Sequence, residues 1–372
     1  MHRFLRDLLE DLAHRCDAVR ERLLQVNVTG PASDLALSAA RLVISARRDI
    51  GSLLADPGLD NPALVPDHLR LFRRLAERVQ LAENHALPHL ERFTEHDTNL
   101  SGLAARMIAE ANIPIVPPVV TASSSVYYWT MPFFYLISVP AGEPGSLLGL
   151  SDLGHEFGHI LIATPEKSIL PEQVRVAVND WFQDARHEAT LAGAPHARQL
   201  RVTGRQWMDN WLEEFACDVV GTYVFGRSFG LQHVRLCALL GGDPFEPGLG
   251  HEATHPADEA RLRIIVSTLT SYGAAEDATA VSDLWDRFIA HQLGARPPQY
   301  GFCYPEALLD LVAREVVAQC QSAGIADSLM LRDKGNTVAA VLLNAWERFV
   351  ADSRTFKEWE DASLAALFTG SS

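Results

Sequence analysis

Two histidines four residues apart, His155 and His159, stand inside an apolar stretch made of Leu147, Leu148, Leu150, Leu153, Phe157, Ile160 and Leu161. The spacing of those apolar residues predicts a helix, which Pro165 stops after Thr164. On a helix, residues i and i+4 lie on one face, one turn apart, so the two imidazoles can share a divalent metal ion. Glu156 follows the first histidine and is displaced around the helix. Its carboxylate can reach a water beside the metal rather than the metal itself. The pattern His155-Glu156-x-x-His159 thus supplies two neutral nitrogen donors and a base, and lacks a third ligand.

Downstream, Glu214 meets that need. It lies on a predicted helix whose other residues, Trp211, Leu212, Phe215, Ala216, Val219 and Val220, are apolar. Asp218 is four residues on, on the same face. The pair fits a metal-ligating carboxylate with a second carboxylate behind it, and Asp218 can accept the free ring N–H of a ligand histidine. Glu213 competes as ligand, but four residues after it stands Cys217, a poorer orienting group. A solvated acidic face is the plain alternative, and the apolar residues leave little of this helix polar.

His155-Glu156-x-x-His159 followed by Glu214-x-x-x-Asp218 resembles the gluzincin zinc metalloproteases. Thr254-His255-Pro256-Ala257-Asp258-Glu259-Ala260-Arg261 is similar to the His-Pro…Arg segment of the M48-like and minimal soluble gluzincins. The resemblance covers roughly residues 126–265. It implies a zinc ion bound by His155, His159 and Glu214, with Asp218 behind them and Glu156 as general base for attack on a peptide carbonyl. His255 and Arg261 are then candidate partners of the developing oxyanion, or Arg261 orients the glutamate helix. His187, His233 and His251 are further histidines, read as surface or structural. The transmembrane helices of the M48 membrane enzymes are absent from the sequence.

Around this core the chain reads as helix. Residues 1–111 carry three- and four-residue apolar steps, as in Leu5, Leu8, Leu9, Leu12, Cys16, Val19 and Leu23, and are expected to form a helical bundle or helical hairpins. The texture changes at 112. Val126–Thr130 and Phe133–Val139 are the best strand candidates, and Pro132 and Pro140 around the second fit a hairpin or an edge strand. In the related proteases such an edge strand pairs with the substrate, so Phe133–Val139 is expected either to do so or to be a core strand. Residues 112–270 are expected to form the metalloprotease core, with its small sheet, active-site helix and glutamate helix. Residues 271–372 return to helix. The fold class is mainly α (α+β).

Composition narrows the partners. A formal net charge of −15 opposes nucleic acid or an acidic membrane surface as partner. No uncharged apolar run approaches the ~20 residues of a membrane helix. Five scattered cysteines without CxxC spacing suggest reduced thiols, and the first residues lack a signal-peptide layout, so the chain reads as cytoplasmic. The expectation is a soluble zinc-dependent metallopeptidase acting on peptides or a protein, with a protein partner on the helical flanks as an added role. The alternatives are a catalytically silent scaffold of the same fold and a zinc hydrolase of a non-peptide amide.

Overall fold

The computed structural model describes residues 2–125, 127–142, 145–249, 254–291 and 296–369. The chain divides into two compact units, one of residues 1–101 and 117–142, the other of residues 102–116 and 143–372. About three quarters of it is helical, with one three-stranded sheet, so the mainly α (α+β) class holds.

The first unit contains α1 (His2–Gln25), α2 (Pro31–Leu54), α3 (Val65–Leu81), α4 (Leu87–Glu91) and the start of α5 (Glu95–Ala111). Leu5, Leu9, Leu12, Cys16, Val19 and Leu23 of α1 are buried with Leu35, Ala39, Val43, Ala46 and Ile50 of α2. Each series repeats at three or four residues, so one stripe of each helix enters a common core. Val119, Phe134 and Leu136 join that core from the sheet.

The sheet comprises β1 (Val119–Ser124), β2 (Trp129–Met131) and β3 (Leu136–Pro140), in the order β1-β3-β2. β2 and β3 form the expected hairpin: they pair antiparallel, Trp129 opposite Ser138, around a 3-10 turn at Pro132–Phe134. The edge position expected for Phe133–Val139 is overturned. β3 also pairs in parallel with β1, Val119 opposite Leu136, so both of its sides are hydrogen bonded. A strand with both backbone edges engaged has none left for an added peptide. The prolines fall where they cost the ladder little, Pro132 in the turn and Pro140 at the end of β3.

The second unit is built from α6 (Leu153–Ala163), α7 (Glu172–Leu191), α8 (Ala197–Gln206), α9 (Leu212–Phe225), α10 (Arg227–Leu240), α11 (Asp258–Ser271), α12 (Ala275–Ile289), α13 (Tyr300–Cys303), α14 (Glu306–Ser322), α15 (Ser328–Asp333), α16 (Val338–Ala351) and α17 (Ser353–Thr369), with the remainder of α5. Every residue of α9 from Glu214 to Phe225 is buried. Full burial of side chains such as Phe215, Val219 and Phe225 contributes roughly 1.5–3 kcal/mol each, which offsets the cost of carrying Glu214 and Asp218 inside. α9 turns sharply into α10 at Gly226, whose φ of 57° and closeness to the Ser328 side chain leave room for no other residue. No described helix is long and apolar enough to cross a membrane.

α6 lies against α9 almost backbone to backbone. A Cβ at Gly154 would come within 2.9 Å of Gly221 Cα, and one at Gly158 within 2.8 Å of Cys217 Cα. These two glycines, one turn apart, place the histidine helix within reach of the acids on α9.

Candidate metal centre

His155, Glu156 and His159 all lie on α6, as their spacing requires, and the two rings meet edge to face with centroids 4.9 Å apart. Across from them, Glu214 presents its carboxylate to both. Its Oε2 is 3.3 Å from His155 Nε2 and its Oε1 is 3.6 Å from His159 Nε2. Donors on a tetrahedral zinc, at bonds of about 2.0–2.1 Å, stand about 3.3 Å from one another. Each separation is near that spacing, with one oxygen of Glu214 turned to each ring. Glu214 Oε2 is also buried without a hydrogen-bond partner, and an orphaned carboxylate oxygen at such depth calls for a cation.

The outer nitrogens of both rings are held. His155 Nδ1 lies 2.9 Å from Asp218 Oδ1, and His159 Nδ1 lies 3.1 Å from Glu213 Oε1. Carboxylates on Nδ1 orient the rings and direct Nε2 inward. Asp218 thus lies behind His155 and holds its outer nitrogen. Glu213, weighed from sequence as a competing ligand, instead orients the second histidine. That role was not legible, because the rotation of α9 about its axis decides which of two adjacent acids faces inward.

Arg261, on α11, binds the same aspartate through two parallel bonds, Nε to Oδ2 at 2.9 Å and Nη2 to Oδ1 at 2.7 Å. Its guanidinium is spent on Asp218, which favours the positioning role over a direct one at the oxyanion. His255 precedes α11, which begins at Asp258. Its Nε2 is 3.4 Å from Glu214 Oε2, and the side chain is 53% exposed, the most open member of the group.

The charges respond to this geometry. Burial opposes charge on His155, but its hydrogen bond to Asp218 and the nearby negative charges of Asp218 and Glu214 outweigh burial and push it up to about 10. Burial likewise opposes charge on Glu214, yet the neighbouring imidazoles hold it at about 2. Asp218 is held well below the carboxylate range, against burial, by Arg261 and His155. The pocket favours positive charge between the rings and the acids.

Cys217 is a rival third donor, with its Sγ within 4.8 Å of ring nitrogens of both histidines. Burial and the surrounding acids push its thiol far up, so it carries a proton that a metal ligand must lose. Glu214 is already ionised and faces both Nε2 atoms, so it is the better donor. A second group, His233, Cys237 and Asp258, also has donor atoms within 4.8 Å. There His233 Nε2 is 2.9 Å from the Asp258 carbonyl oxygen, to which its N–H donates, and that nitrogen is not free for a metal. His187 is exposed on α7, and His251 lies outside the described residues.

Comparison with protein-family models, with curated proteins and with solved structures finds no match.

Proposed function

We propose that this chain is a zinc-dependent metallopeptidase, with His155, His159 and Glu214 as metal ligands. One observation carries the reading: the buried Glu214 carboxylate faces Nε2 of His155 through one oxygen and Nε2 of His159 through the other, while the Nδ1 atoms of both rings are already held by acids. Zinc bound by this set would supply Lewis acidity and lower the pKa of a water. Glu156, adjacent to His155 and 3% exposed, would take the proton of the attacking water and return it to the leaving amine. His255, half in solvent beside Glu214, is the group placed to donate to the developing oxyanion. Asp218, Glu213 and Arg261 would hold the ligands in their rotamers. Five unpaired, buried cysteines accord with a reducing compartment.

The test is metal analysis of the purified chain together with cleavage of a peptide library. About one zinc per chain is expected, lost in the His155→Ala/His159→Ala variant. Glu156→Gln is expected to keep the metal and lose cleavage. A wild-type chain that takes up no zinc would refute the reading.

A further inference from the structure

The connection between α10 and α11 brings His255 to Glu214, and a phenol from elsewhere in the unit holds that connection. Tyr304 follows α13 and is 1% exposed. Its hydroxyl donates to the Pro247 carbonyl oxygen at 2.7 Å and accepts from the Ala257 backbone N–H at 2.9 Å. One atom thus bonds both Pro247 and Ala257, the latter two residues after His255. The same ring packs on Trp211 at 4.8 Å and meets Phe215 edge-on at 6.3 Å. Phe215 is the neighbour of Glu214, and Trp211 lies one turn before it. Tyr304 is therefore anchored on the glutamate helix and bonded to the backbone that bears His255. A second tyrosine nearby behaves differently: the Tyr300 hydroxyl donates to Glu259 Oε2 at 2.7 Å and touches neither end of the His255 segment.

We propose that Tyr304 is a positioning residue for His255, its hydroxyl setting where the imidazole stands relative to Glu214. The catalytic consequence rests on the peptidase reading; the geometric one does not. Losing the hydroxyl would free the Ala257 N–H and the Pro247 carbonyl together. The ring packing on Trp211 and Phe215 would remain, so α9 and its ligands would stay in place.

The experiment uses the full chain with zinc, and histidine-ring carbon-13 NMR in which the His255 signal is assigned by its loss in His255→Gln. Tyr304→Phe is expected to retain the wild-type zinc content, to move the His255 signal, and to lower kcat on a library peptide about tenfold with KM within about twofold. Combined with His255→Gln it should lower kcat no further than His255→Gln alone. Tyr300→Phe should leave the signal and kcat unchanged. A His255 signal unmoved in Tyr304→Phe overturns the proposal, as does a double variant whose losses multiply. If the wild-type chain neither binds zinc nor cleaves, the peptidase reading fails, and the NMR comparison alone decides the positioning.

Discussion

Asp218 accepts from His155 Nδ1 at 2.9 Å, so the ring offers its other nitrogen to Glu214. Asp218 also neutralises the buried Arg261, which makes it both an orienting group and half of an ion pair. Asp218→Asn is expected to weaken zinc binding about 10- to 100-fold and to cost on the order of 3 kcal/mol of stability, because Arg261 loses its counter-charge. A chelator-competition titration and a denaturant midpoint measure the two effects separately. Unchanged zinc affinity would remove Asp218 from the site.

The choice of third ligand makes a sharper contrast. Glu214→Gln should reduce zinc affinity about 100-fold or more, whereas Glu213→Gln, which only loosens His159, should reduce it about tenfold. Cys217→Ser should leave affinity within about threefold. If the serine variant is the one that loses zinc, the thiol and not Glu214 is the ligand.

Close contact between α6 and α9 gives a packing prediction. Gly158→Ala places a Cβ 2.8 Å from a backbone atom, which cannot swing aside as a side chain would. The expected cost is about 1–3 kcal/mol of stability, with weaker zinc binding as the histidines retreat from Glu214. Gly51→Ala in α2, where the added Cβ meets nothing nearer than 3.8 Å, is the control. It should be stabilising by about 0.5–1 kcal/mol. Thermal unfolding of both variants decides the matter.

Acid sensitivity should arise in the first unit as well. His89 is held down at about 4 by burial and by the nearby His85 and Arg92 charges, with Asp97 opposing. Its Nδ1 lies 2.9 Å from the Thr121 hydroxyl oxygen and 2.8 Å from that of Ser123. The folded pKa is below the ordinary value, so the unfolded chain binds the proton more readily. Stability from this group is complete above about pH 6.5 and is lost as pH falls toward 4. Between pH 7 and 4.5 the loss should be about 1–2 kcal/mol after allowance for partial exposure. In His89→Gln, urea midpoints across that range should show a correspondingly smaller decline.

The parts of the site legible in sequence are those written within one helix. His155 with His159, and Glu214 with Asp218, are each four residues apart, and the helical repeat alone puts each pair on one face. The helical class was legible for the same reason, from leucine steps such as Leu5, Leu9 and Leu12. What was not legible depends on contacts distant in sequence. The central place of β3 follows from its pairing with β1, which no local pattern encodes. Glu213 became the partner of His159 through the docking angle of α9, set by Gly154 and Gly158. A pair of glycines one turn apart on an otherwise apolar helix was the available signal. The hold of Tyr304 on Ala257 joins residues 47 apart in the chain.

α9 is buried along its whole length from Glu214 onward, so the acids of the site and the middle of the second unit are one element. This has a bearing on how such a chain can change over generations. A lineage that lost His155 and His159 would retain two carboxylates deep in its centre, with the imidazole charges that lower Glu214 gone. Drift at the histidines would then lower stability as well as function. Such a lineage would have to replace Glu214 and Asp218 with apolar residues and find a new role for Arg261 at nearly the same time. The cluster of histidines and acids is thereby shielded from gradual decay by the fold that surrounds it.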